Sequence, residues 1–351
     1  MWYNGISFYL FNFINMPLNL AINGFGRIGR AAFKIILDKY PELKVVAIND
    51  LTDNQTLARL LRYDSCYGLY GHRVSGDDQG LLVDGQRYTV FAEKDPAALP
   101  WKKMQVDVVL ECTGHFCDKE GAGMHLQAGA KKVIISAPAK KGGVKTIVLG
   151  VNDKDLRASD HIISNASCTT NCLAPAMSVL QEKFGVLKAL MTTVHSYTAD
   201  QNLVDGPHKD PRRARAAALN IIPTTTGAAV AVTETLPSLK DKFDGLAVRV
   251  PTPVGSLCDI VCVLKKKTDV ATVNKAFLAA AKGKLKGILE ASNEEIVSTD
   301  IVGNAHSSII DLKNTKVIAG DLLKVVAWYD NEWGYANRLV DLAVKLKKFV
   351  K

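Results

Sequence analysis

In the first half of the chain, apolar residues gather in short runs with the spacing of buried strands and helices. Residues 18–23 (LNLAIN) alternate as a strand does. Residues 30–40 carry Ala31, Phe33, Ile35, Ile36 and Leu37 at helical spacing until Pro41 stops the helix. Residues 44–49 (KVVAIN), 106–111 (VDVVLE), 132–136 (KVIIS) and 146–150 (TIVLG) read as further strands. They are apolar enough for a parallel sheet covered on both faces. Residues 171–184 form a helical run that Gly185 closes. Pro175 suits a first turn better than an interior, so this helix is expected to begin late or to carry a kink.

From residue 187 the pattern changes. Longer strand-like segments at 187–196, 246–250, 258–265, 307–312 and 325–329 are less regularly interleaved with helices, which fall at 227–236 and 271–282. Residues 196–220, rich in Asp, Pro, His and Arg, read as a long irregular loop, and such loops in compact domains usually carry function. Residues 337–351 form a Leu/Val helix with Lys on its polar face. The expected architecture is an α/β domain with a parallel sheet and helices on both faces, followed by an α+β domain with a mostly antiparallel sheet.

The turn after the first strand narrows the function. Gly24, Gly26 and Gly29 stand in G-x-G-x-x-G spacing, a helix and a second strand follow, and Asp50 comes 21 positions after Gly29. Strand, glycine loop, helix, strand and acid in this order make a Rossmann dinucleotide fingerprint. Gly24 permits the tight turn, Gly26 lets backbone approach a pyrophosphate, and Gly29 lets helix and strand pack closely. The pyrophosphate then rests on the amides and positive end of the helix. Asp50 accepts from the ribose hydroxyls and repels a 2′-phosphate, so NAD is expected over NADP. Gly114, Phe116 and Ser136, at the carboxyl ends of strands, fall near the cofactor.

Composition adds bounds. A chain of 351 residues exceeds what one core supports, so two domains are expected. Hydrophobic residues at 48% and charged residues at 23% fit an ordinary globular protein and exclude a disordered one. The net charge of +9 is spread along the chain with no basic stripe interleaved with aromatics, so no dedicated nucleic-acid site is expected; small anionic ligands suit it better. Seven cysteines and no secretion signal point to reduced thiols in the cytoplasm. Cys112, His115 and Cys117 do not match a zinc spacing, and no metal is expected. Residues 1–15 (MWYNGISFYLFNFIN) lack the features of a signal or transit peptide and are too short to span a membrane. With Met16 opening the patterned chain, residues 1–16 are expected to be a disordered extension or a start-site artefact.

The chemistry concentrates in SNASCTTNCLAP (164–175). Cys168 opens a helical run, where the positive helix end favours a thiolate, and Cys172 lies one turn deeper as packing. His195, near a strand end, is the leading base among seven histidines. Arg249 interrupts an apolar strand and needs an anionic partner. Thr198, Thr226 and Gly227 offer donors suited to phosphate.

Taken together, AINGFGRIGR, SNASCTTNCLAP, HSYTADQ, HKDPRRARAAALNIIPTTTGAA, VRVPTP and WYDNEWGY resemble the phosphorylating glyceraldehyde-3-phosphate dehydrogenases, from about Pro17 to the end. The resemblance implies a glycolytic and gluconeogenic oxidoreductase that uses NAD and inorganic phosphate to convert glyceraldehyde 3-phosphate to 1,3-bisphosphoglycerate through a thiohemiacetal and a thioester. Erythrose-4-phosphate dehydrogenase is the related alternative. It makes Cys168 the nucleophile and His195 its base. It assigns NAD contacts to Gly24, Gly26, Arg27, Ile28, Gly29, Asp50, Lys94, Ser136 and Asn331. It assigns substrate phosphate and inorganic phosphate to Ser167, Thr169, Thr198, Thr226, Gly227 and Arg249. It further implies a Rossmann domain of residues 17–167 rejoined by 333–351, a catalytic domain of 168–332, and a homotetramer in which loop 196–220 lines the neighbour's cofactor site. Many bacterial members carry Leu where this chain has Gly206, a position that influences cofactor choice, so the NAD expectation rests on Asp50.

Overall fold

Strand Leu18–Asn23 is buried on both faces, and this sets the architecture around it. Leu20 and Ile22 join one apolar cluster and Ala21 joins another, as the two-residue period of a strand requires. In the computed structural model, which describes residues 17–350, this strand lies within a nine-stranded sheet. From one edge the order is Lys145–Thr146, Ile162–Ser164, Lys132–Ile135, Val108–Glu111, Leu18–Asn23, Leu43–Asn49, Gln86–Phe91, Gly80–Val83 and Val74–Asp77. The first seven are mutually parallel and the last two attach antiparallel. The expectation for residues 1–16 lies outside the described residues.

Helix Arg27–Lys39 covers one face with Phe33, Ile35 and Ile36. The C-terminal helix Trp333–Leu346 lies beside it, adding Leu339, Leu342 and Leu346 to the same cluster. Helix Lys119–Gln127 and Trp101 cover the other face. The expected strand at 146–150 is reduced to Lys145–Thr146. Asn152 folds back there, accepting from Val148 N and donating to Thr146 O, so a turn replaces the ladder. Helix Asn54–Arg62 and the strands between Val74 and Phe91 were not read from the pattern.

The second sheet runs Ile222–Thr224, Phe243–Val250, Val186–Ser196, Ser256–Leu264, Leu322–Tyr329, Ser308–Ile318 and Leu289–Ser292. Four of its six pairings are antiparallel. Helix Cys168–Lys183 packs Cys172, Met177 and Leu180 against Ile260, Val325 and Ala327 on one face. Pro175 sits inside this helix, which runs unbroken from Cys168, so the late start does not occur. The opposite face keeps Leu190 and Val261 exposed.

Candidate active site

The glycine loop is dictated by close approach. Gly24 has φ +89°, and a Cβ there would lie 2.7 Å from Thr113 N. A Cβ on Gly29 would lie 2.2 Å from Gly24 O, whereas Gly26 has open space in front of it. Gly26 is also the N-cap of helix Arg27–Lys39 and supplies no side chain to it, so the first amides remain available to an anion. Asp50 lies beneath this loop. Its carboxylate accepts from Phe25 N at 2.7 Å and from Thr52 N at 2.9 Å.

The other cofactor candidates are spread around this cleft. The Arg27 guanidinium is turned away, bound to Asp64 at 2.7 Å and to Glu332, which leaves its backbone N–H for a ligand. Ile28 is half-buried against the first core. Ser136 follows its strand with its N–H on Glu111 O at 2.9 Å. Lys94 is exposed in the turn after Gln86–Phe91. The Asn331 carboxamide oxygen accepts from Gly255 N at 3.0 Å and Ser256 Oγ at 2.9 Å.

The second group of residues meets where the two sheets' domains adjoin. Ser167 caps the helix that begins at Cys168, its hydroxyl accepting from Thr170 N at 3.0 Å. The preceding Ala166 has φ +57°, a left-handed conformation unusual for a residue with a Cβ. Tyr335 Oη holds it by donating to Ala166 O at 3.0 Å, and Ala166 N donates to Ser164 Oγ at 3.0 Å. This turn aims the first residue of the helix outward, and Cys168 Sγ lies 3.4 Å from His195 Nε2.

The His195 tautomer follows from its second nitrogen. Nδ1 is 2.7 Å from Ser196 O, an acceptor, so Nδ1 carries the proton and Nε2 offers a lone pair to the thiol. Burial opposes a charge on either group. It pushes the Cys168 thiol up to about 11, with the Arg249 charge and a Thr169 hydrogen bond opposing. It pulls His195 down to about 3, assisted by the charge of Arg249. Burial thus opposes the charge that the helix end favours, and the half-buried thiol faces an imidazole whose Nε2 is free to take its proton. Passing the proton from Sγ to Nε2 keeps the pair neutral overall and sets opposite charges beside each other, which offsets part of the burial cost.

Arg249 is the register partner of His195 on the adjacent parallel strand. Among the described residues it finds no carboxylate. Its guanidinium donates to Ser196 O and Thr198 Oγ1, each at 3.1 Å, and Nε is buried without a partner. Burial and the nearby Arg213 charge make the protonated form costly, so the cation lacks a counter-ion. Thr226 and Gly227 open helix Ala228–Thr235 with no side-chain capping bond from Gly227. The Thr169 hydroxyl is buried 2.9 Å from Tyr329 Oη and 4.0 Å from Cys168 Sγ.

Two residues here escaped the sequence reading. Arg213 stands beside Arg212 in a basic run, yet its side chain is 17% exposed and reaches Thr224, Thr225 O and Asp200. Tyr329 ends an apolar strand, where its hydroxyl joins Thr169 to Thr193 and its ring meets the His195 ring edge-on. Among the described residues, no group of three or more His, Cys, Asp or Glu is arranged to hold a metal ion.

Comparison with known proteins agrees with this geometry. The family model for the glyceraldehyde 3-phosphate dehydrogenase NAD binding domain matches residues 18–119, and that for the C-terminal domain matches 167–331. The glyceraldehyde-3-phosphate dehydrogenase of Geobacillus stearothermophilus is 56% identical over 329 residues, covering 93% of this chain and 98% of its own. Glyceraldehyde-3-phosphate dehydrogenase 1 of Bacillus subtilis is 55% identical over 334 residues, covering 95% and 99%. The Mycobacterium avium enzyme is 54% identical over 339 residues, again covering 95% and 99%. With both of its domain models matched and more than half of the residues shared along nearly the whole length, the chain belongs to the glyceraldehyde-3-phosphate dehydrogenase family.

Proposed function

We infer that this chain oxidises glyceraldehyde 3-phosphate with NAD and inorganic phosphate to 1,3-bisphosphoglycerate, with Cys168 as nucleophile and His195 as base. The observation that carries the reading is the 3.4 Å contact between Cys168 Sγ and the unprotonated Nε2 of His195, beside an arginine without a counter-ion. His195 takes the thiol proton as Sγ attacks the aldehyde carbon. The backbone N–H of Cys168, at the helix start, stabilises the developing oxyanion. His195 returns that proton to the oxyanion, giving the thiohemiacetal hydroxyl, and takes it back as the hydride leaves, so a thioester remains on Cys168. NAD, when bound, supplies the acceptor for the hydride. Phosphate attacks the thioester carbon and the Cys168 thiolate departs.

The substrate phosphate is assigned to Arg249 and Thr198, with Arg213 adding charge. The attacking phosphate is assigned to Ser167, at the start of helix Cys168–Lys183, and to Thr226 and Gly227, before helix Ala228–Thr235, with Thr169 beside them. NAD is assigned to Gly24, Gly26, Arg27, Ile28, Gly29, Asp50, Lys94, Ser136 and Asn331. Residues 17–167 with 333–351 form the cofactor unit and 168–332 the catalytic unit. Seven free thiols among the described residues suit the cytoplasm, and no described helix is long and apolar enough to cross a membrane.

The steady-state test uses glyceraldehyde 3-phosphate with and without phosphate, and NAD against NADP. Turnover is expected to need phosphate and to favour NAD. A larger kcat/KM for erythrose 4-phosphate, or no phosphate dependence, contradicts the reading.

The quaternary proposal is a homotetramer. A cleft of about 890 Å³ lies away from Cys168, on the outer face of the second sheet among Leu190, Val230, Phe243, Val261 and Leu322. Leu190 is 66% exposed and Val230 63%. An apolar outer face on a sheet already covered on its inner face calls for a second copy. Leu203 and Val204, exposed in the 196–220 loop, suit contact with another neighbour. Leu190→Asp is expected to reduce the sedimenting mass below that of the parent. An unchanged mass overturns this interface.

A further inference from the structure

Glu111 closes its strand with a side chain that solvent does not reach. It sits at the switch point of the nine-stranded sheet. Here Leu18–Asn23 and Val108–Glu111 are neighbours, while the strand that follows each lies on the opposite side. Every partner of its carboxylate is a donor. Oε2 accepts from Asn23 Nδ2 at 2.6 Å and lies 3.0 Å from His125 Nε2. Oε1 accepts from Thr113 N at 2.8 Å and from the Thr113 hydroxyl.

The His125 tautomer is set from behind. Trp101 Nε1–H can only donate, and it reaches His125 Nδ1 at 2.9 Å. The ring proton therefore sits on Nε2 and points at Glu111. On the far side, Asn23 Oδ1 accepts from Asn49 Nδ2 at 2.7 Å. Asn49 in turn donates to Glu93 O and accepts from Glu93 N, both at 2.9 Å. The chain of bonds ties together the carboxyl ends of three adjacent parallel strands. It uses a fully buried histidine that the proposed chemistry at Cys168 leaves aside.

Its reach into the cofactor cleft is short. Gly24 directly follows Asn23, and Thr113 is the wall against which Gly24 leans, too close for a Cβ. Glu111 holds both sides of that contact, Asn23 through one oxygen and Thr113 through the other. We propose that Glu111 and His125 are positioning residues for the dinucleotide, which set the glycine loop against the Thr113 turn so that its amides are aimed before NAD arrives. This rests on the reading that the glycine loop holds NAD.

The test is calorimetric titration of NAD into the wild type, Glu111→Gln and Thr113→Val, with KM measured for both substrates. In Glu111→Gln an amide N–H2 must face one pair of donors, so the loop and the turn part. NAD Kd and NAD KM are expected to rise about tenfold or more, with KM for glyceraldehyde 3-phosphate unchanged. Thr113→Val removes the hydroxyl that donates to Glu111 and accepts from His115 N, leaves the Thr113 N–H on Glu111 in place, and is expected to raise NAD Kd about threefold. A folded Glu111→Gln protein with wild-type NAD affinity overturns the proposal, since a purely structural role lowers stability without touching Kd. If Glu111→Gln does not fold, unchanged affinity in Thr113→Val overturns it instead. A wild type that fails to bind NAD overturns the cofactor reading itself, and the first titration separates that result from the others.

Discussion

Cys168→Ser abolishes dehydrogenase turnover, by about 10⁴-fold or more, while NAD affinity stays at the wild-type value. The serine hydroxyl replaces a thiol that lies 3.4 Å from His195 Nε2, and it is a far weaker acid. Burial already pushes the thiol up to about 11, and the same burial penalises an alkoxide more. The variant should fold, because Cys168 lies at the rim of the second core while Cys172 is at its centre. Turnover within tenfold of wild type would show that the attack comes from another group.

His195→Asn has the second largest effect, a loss of about 10²–10⁴-fold in kcat. It also changes how Cys168 responds to pH. In the wild type the thiol hands its proton to Nε2 and the pair stays neutral. In the variant the proton must leave to solvent, and burial resists the lone thiolate. The Arg249 charge still favours the thiolate but does not accept a proton. Deprotonation of Cys168 therefore moves to higher pH, and so does the profile of iodoacetamide alkylation. An unchanged profile would remove His195 from the pair.

The sequence made the first domain legible because its rules are local. Gly24, Gly26 and Gly29 each answer to one steric demand, and their spacing states it directly. The strand at 146–150 failed for a tertiary reason: its apolar residues are buried, but the Asn152 side chain takes the backbone groups that a ladder would need. Pro175 misled in a similar way, because a helix held by Cys172, Met177 and Leu180 against a sheet tolerates one missing N–H. At the site, the structure brings together Cys168 and His195, which their motifs single out. Their electrostatics were less legible, because the helix end favours a thiolate while burial, which a row of letters does not show, opposes it. Arg213 was hidden by its neighbours: one exposed arginine and one enclosed arginine look alike in a row of letters. Tyr329 was hidden by burial, since only the meeting of its hydroxyl with Thr169 and Thr193 distinguishes it from core.

The most direct test of the central claim is mass spectrometry of the enzyme quenched after mixing with glyceraldehyde 3-phosphate and NAD in the absence of phosphate. The expected result is a phosphoglyceroyl adduct on the peptide that contains Cys168, formed together with NADH and lost when phosphate is added. NADH formed with no adduct on Cys168, or an adduct that phosphate does not release, would contradict the account.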